Sequence, residues 1–184
     1  MGAIGVTSSY NVDAWTGQLP KLRQNPAMWS FRLNSSYVSY LQCHPVGRIS
    51  AFSGSGSARN DFMSTSKEGI GPLPLGTYYI VDRQSGGRMG WLKDITYPAY
   101  SGVDRTKWFA LWNSVSGDSV TIKGVKRQNF RLHPAGFWGI SEGCITITNG
   151  YDFEQIERYL HSRPPDLPIP GQAMLAYGVI EVTL

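Results

Sequence analysis

The stretch RLHPAGFWGISEGCITIT, residues 131–148, carries more information than any other part of this chain. Two short strand-like segments, Phe130-Arg131-Leu132-His133 and Ile145-Thr146-Ile147-Thr148, flank a connection punctuated by Gly136, Gly139 and Gly143. Glycines there let the backbone turn tightly. His133 and Cys144 stand eleven positions apart. A thiol needs a nearby base or cation to become a thiolate, and an imidazole is the usual supplier. The Gly143-Cys144 peptide offers adjacent N–H groups to a developing oxyanion, with no side chain on Gly143 to block the approach. The segment reads as a cysteine nucleophile site. The same residues also fit a small buried cysteine and a structural histidine, so the pair alone leaves both readings open.

Composition narrows the class. A chain of 184 residues is expected to form a single domain, 1–184, large enough to bury a core without staples. Its 21 glycines and 11 prolines imply many turns and short elements, which favours a mainly β fold over a helical bundle. The net charge of +4 is modest. The basic residues Arg83, Arg88, Lys93, Arg105 and Lys107, and then Lys123, Lys126, Arg127 and Arg131, are scattered and read as a solvated face. They form no nucleic-acid motif, and no nucleic-acid partner is expected. Three histidines and two cysteines spread along the chain make no ligand set, so neither a metal nor another cofactor is expected. Cys43 and its neighbour His44 diverge if they lie on a strand, and both read as structural. No run is long enough for a membrane span. Residues Met1 to Pro20 lack the basic start and apolar core of a signal peptide, so synthesis in the cytoplasm without one is expected.

Along the chain, residues 1–35 read as an N-terminal arm packed on the core. Strands are expected at Ser36 to Leu41 and Gly47 to Phe52, paired as a hairpin. Ser53-Gly54-Ser55-Gly56-Ser57 reads as a flexible loop; it lacks the lysine and following helix of a phosphate-binding loop. Further strands are expected at Thr77 to Val81, Trp108 to Trp112, Ser119 to Ile122 and Ala176 to Val182. Gly86 to Asp104 reads as a long excursion forming a lid or groove wall. One helix is expected near 152–162. Asp152 and Gln155 suggest a capping box, Phe153, Ile156, Tyr159 and Leu160 recur at helical spacing, and Arg163-Pro164-Pro165 ends it.

The sequence Ser141-Glu142-Gly143-Cys144-Ile145-Thr146, preceded by His133, resembles the signature of the L,D-transpeptidase (YkuD-like) catalytic domain. Gly71-Pro72-Leu73-Pro74-Leu75-Gly76-Thr77-Tyr78-Tyr79-Ile80 resembles that family's lead into a central strand. The likeness spans roughly Tyr37 to Leu160, and the catalytic region is placed at 36–184. Glu142 stands where the family usually has histidine, and Thr146 where it has Arg or Asn. With Ala51-Phe52-Ser53-Gly54 upstream, the pattern is closer to a divergent branch that includes antibacterial type VI secretion effectors.

The resemblance implies a β-sandwich or barrel-like L,D-transpeptidase fold and acyl transfer through a thioester. Cys144 would be the nucleophile and His133 its base, with Gly143 and Ser141 as oxyanion or turn support. Arg131 shares a strand face with His133 by period 2 and would hold a substrate carboxylate. The implied substrate is the tetrapeptide stem of peptidoglycan, and the implied acceptors are water, a free D-amino acid or a second stem. The branch further implies delivery by type VI secretion machinery, action in a target periplasm and a cognate immunity protein. Rival readings are a cysteine endopeptidase or amidase of the cell wall, and a non-catalytic cell-wall binding module.

Overall fold

The computed structural model describes residues 26–83, 107–136 and 139–184. The N-terminal arm up to residue 25 and the Gly86 to Asp104 excursion lie outside the described residues. In chain order the strands are β1 (Ala27–Arg32), β2 (Ser39–Cys43), β3 (Gly47–Phe52), β4 (Gly76–Asp82), β5 (Phe109–Asn113), β6 (Ser119–Ile122) and β7 (Val125–Gln128). Then come β8 (Arg131–Pro134), β9 (Ile145–Ile147), the helix α1 (Gly150–Leu160), β10 (Leu167–Pro168), β11 (Leu175–Ala176) and β12 (Gly178–Thr183).

Eight of these strands close into a mixed barrel in the order β1-β12-β4-β5-β8-β9-β3-β2. Two pairs are parallel, β1 with β12 and β8 with β9, and the rest are antiparallel. Closure leaves no unpaired edge in this sheet. The period-2 alternation of the sequence decides which side chains fill it. Ala27, Trp29 and Phe31 of β1 and Leu41 and Cys43 of β2 point inward, while Met28, Ser30 and Arg32 point out. Cys43 is a core residue and His44 lies exposed in the following turn, so the two diverge as expected.

β1 departs from the sequence reading, which left residues 27–32 inside the N-terminal arm. The parallel partner of β1 lies at the far end of the chain, so no local hairpin signal announces it. A Cβ on Gly178 would collide with the backbone carbonyl of Ala27, so the seam between β1 and β12 needs glycine there.

The helix begins two residues before the expected start. Its N-cap is Asn149, whose side chain accepts the Tyr151 N–H at 2.9 Å; Asp152 lies inside the first turn and favours the helix dipole. Phe153, Ile156, Tyr159 and Leu160 form the buried face, as the spacing predicts, and join the main core. Tyr159 meets Trp29 edge-on with ring centroids 5.9 Å apart. His161 caps the C-terminus and sits 3.7 Å from Asp82.

Ser53 to Ser57 is not the flexible loop that its composition suggests. Ser53 is fully buried, its N–H donates to the Asn60 side chain, the Ser55 N–H donates to the Ile70 carbonyl, and a 3₁₀ turn follows at Gly56–Ala58. Small residues here permit close backbone approach instead of mobility: a Cβ on Gly54 would lie within 3 Å of three backbone atoms. No helix among the described residues is long and apolar enough to cross a membrane.

Candidate active site

The parallel pair β8–β9 builds the site. Leu132 and Ile145 are register partners that face the core. Their neighbours His133 and Thr146, also register partners, therefore face the other side of the sheet. His133 is nonetheless mostly buried, because the Trp108 ring stacks on its imidazole with centroids 4.2 Å apart and planes within 19°. Its Nδ1 lies 2.8 Å from the Pro134 carbonyl. A carbonyl only accepts, so Nδ1 is the donor in this contact. The Thr146 hydroxyl lies 3.5 Å from Nε2.

Cys144 immediately precedes β9 and lies two residues before Thr146. It sits in the bend that leads from Gly143 into the strand. Its Sγ rests 3.9 Å from the Asn129 carbonyl. Burial pushes the thiol up to about 11; a hydrogen bond from the Arg131 backbone and the charges of Arg131 and Arg127 pull it down, while Glu142 pushes it up. At neutral pH the resting group is a thiol. The structure thus brings the Cys144 and His133 segments side by side.

The turn before Cys144 is held from below by side-chain donors. Ser55 Oγ donates to the Ser141 carbonyl at 2.8 Å, Arg127 to Glu142 at 2.8 Å, Ser53 Oγ to Gly143 at 3.3 Å and Ser141 Oγ to Cys144 at 2.8 Å. Ser141, itself buried, also accepts weakly from the Gly143 N–H. It braces the tight turn. Gly143 has φ +119°, a region that disfavours any other residue. A Cβ there would collide with the Arg127 guanidinium, so the glycine makes room on the inner side as well as the outer. The Glu142 side chain is exposed, and the fold uses only its carbonyl.

Arg131 does not stand free to clamp a carboxylate. Its guanidinium lies 3.1 Å from Asp118, donates to the Phe130 carbonyl at 2.7 Å and reaches the Asn129 side chain at 3.4 Å. It acts on Cys144 through its charge. Arg127 overturns the reading of the basic residues as a solvated face. It is 4% exposed and donates to the Thr65, Pro72, Gly71 and Glu142 carbonyls between 2.7 and 2.9 Å. The available signal was Val120-x-Ile122-Lys123-Gly124-Val125, a hairpin with a two-residue turn, Lys123 and Gly124 both at positive φ, that folds β7 back on β6. Trp108, Thr146, Ser53 and Ser55 were likewise not legible as site residues, because their partners are distant in sequence. Among the described residues no group of three or more His, Cys, Asp or Glu side chains is placed to hold a metal.

The model of the Tlde1 domain family matches residues 47–171, more than half of the chain and inclusive of every side chain named above at the site. None of the curated proteins compared with the chain matches it. Among solved structures, the crystal structure of L,D-transpeptidase 3 from Mycobacterium tuberculosis in complex with a faropenem-derived adduct is similar, with a TM-score of 0.39 and 13% identity. The match covers 86% of this chain and 60% of that one, so this chain spans less than two thirds of that relative's length. The chain belongs to the Tlde1 domain family, which is L,D-transpeptidase-like.

Proposed function

We propose that this protein is a cysteine acyl-transferase acting on the tetrapeptide stems of peptidoglycan, as an L,D-carboxypeptidase or by D-amino-acid exchange. The observation that supports it most is the state of His133. Its Nδ1 lies 2.8 Å from the Pro134 carbonyl, and it stands on β8 beside β9, the strand that Cys144 immediately precedes.

In this reading Cys144 Sγ attacks the carbonyl carbon of the third, L-centred residue. His133 Nε2 takes the thiol proton as the bond forms, as a thiol raised to about 11 requires. The C–N bond to the terminal D-alanine breaks, and the imidazolium gives the proton to the leaving amine. The resulting thioester passes its acyl group to water, to a free D-amino acid or to a second stem, and the thiol is regenerated. The Cys144 N–H carries the oxyanion, and the Gly143 N–H joins it only by leaving Ser141 Oγ; one such donor is worth about 3–4 kcal/mol in acyl transfer. Arg131 would hold a substrate carboxylate only by leaving Asp118. The wider role that the family suggests is an antibacterial type VI secretion effector, acting in a target periplasm and restrained in its producer by an immunity protein.

The test is to incubate the wild-type protein and Cys144→Ala with tetrapeptide muropeptides and read the products by mass spectrometry. Loss or exchange of the terminal D-alanine with wild type alone is the expected result. Cleavage at another bond would favour an endopeptidase or amidase. Intact stems in both samples, with cross-linked sacculi and pentapeptides as well, would sink the enzyme reading in favour of a cell-wall binding module.

A further inference from the structure

Arg127 is a buried cation with no carboxylate at salt-bridge distance among the described residues. Its guanidinium donates to four backbone carbonyls, three in the 65–72 segment and one in the turn before Cys144. A buried guanidinium is costly to desolvate, and desolvation does push its own pKa down. A fold that needed only a brace there could use a neutral donor. A positive charge with no carboxylate at salt-bridge distance among the described residues, beside a nucleophile candidate, points to a negative partner that arises during the reaction.

The backbone geometry says how Arg127 would act. In a trans peptide the N–H points opposite to the C=O. Arg127 draws the Glu142 carbonyl inward, and Ser53 does the same to Gly143. The Cys144 N–H is thereby turned away from these anchors, while the Gly143 N–H donates to Ser141 Oγ at 3.4 Å. Gly143 has no Cβ to push the guanidinium off, and Gly71, packed against the same guanidinium, has no room for one. The charged groups that act on Cys144 are Arg127, Arg131 and Glu142; Glu68, Tyr78 and Cys144 act on Arg127.

We propose that Arg127 is the positioning residue of the nucleophile turn: its fork fixes the Glu142 peptide that leads through Gly143 into Cys144, so that the Cys144 N–H is presented as the oxyanion donor, and its charge favours the negative charge that develops there. The assignment rests on the reading of Cys144 as nucleophile. Its test compares wild type, Arg127→Lys and Arg127→Met by two measurements. One is the pH profile of Cys144 alkylation by iodoacetamide, followed at the peptide level by mass spectrometry. The other is kcat and KM on tetrapeptide muropeptides, with circular dichroism to verify folding.

In Arg127→Met the thiol titration should move up, as loss of a nearby cation demands. Its kcat should fall about a hundredfold or more, with little change in KM. Arg127→Lys should keep the wild-type titration but not the kcat, because a point charge cannot fork across four carbonyls. A folded Arg127→Met with an unmoved titration overturns the assignment, as does Arg127→Lys with wild-type kcat. If the methionine variant does not fold, the lysine variant decides on the same criteria, and failure of both to fold makes Arg127 purely structural and also overturns it. Alkylation needs no substrate. A wild type that leaves muropeptides intact therefore defeats the substrate reading, while the titration still reports on Arg127.

Discussion

Thr146 stands directly beside His133 in the parallel β8–β9 pair, with its hydroxyl 3.5 Å from the imidazole Nε2. The contact sets the ring against two anchors, Pro134 at Nδ1 and Thr146 at Nε2, beneath the stacked Trp108. Thr146→Val keeps the β-branched shape and removes the hydroxyl. Loss of a hydrogen bond worth about 1 kcal/mol should lower kcat/KM roughly fivefold to tenfold. Kinetics on muropeptides check this, and equal activity would show that the ring does not need the second anchor.

The raised Cys144 thiol has a consequence for stability. Its folded pKa, about 11, lies above the ordinary value of 9.0, so the folded state holds this proton more tightly than the unfolded chain. The stabilisation is present below pH 9 and is lost as pH rises toward 11. Urea denaturation from pH 8 upward should show wild type losing stability faster than Cys144→Ala. Parallel curves would mean that the sulfur is better solvated than its enclosure implies.

Gly178→Ala places a methyl group against the Ala27 carbonyl. The cost should be about 3 kcal/mol, the range of an overpacked core site, and it should fall on the β1–β12 seam. Hydrogen exchange should show weakened protection at Trp29 and Phe31 before it does so at Leu132.

Asn149→Ala removes the N-cap of α1 and should cost about 1 kcal/mol. Asp152→Ala should cost less, since Asp152 contributes only through the helix dipole. Thermal unfolding of the two variants tests the order, and the reverse order would restore Asp152 as the cap.

Strand positions were legible wherever alternation and turn residues coincided. Gly47 to Phe52 and Ser119 to Ile122 match β3 and β6 at both ends. The helix was legible through Phe153, Ile156, Tyr159 and Leu160, and only its cap was misplaced. Asn149 and Asp152 are both good capping residues, and the choice between them depends on where the strand before them ends.

By itself the sequence determined a mainly β chain with one amphipathic helix and a histidine and a cysteine eleven positions apart across a glycine-rich connection. These are local properties, written in periods of 2 and 3.6 and in spacings of a few residues. Only the tertiary structure decided that β1 joins β12, that β8 runs parallel to β9, and that Arg127 turns inward beneath Gly143. An arginine has the same local pattern whether it faces water or four carbonyls, the farthest of them 62 residues away. Its partners come from chain closure, and no local window contains them.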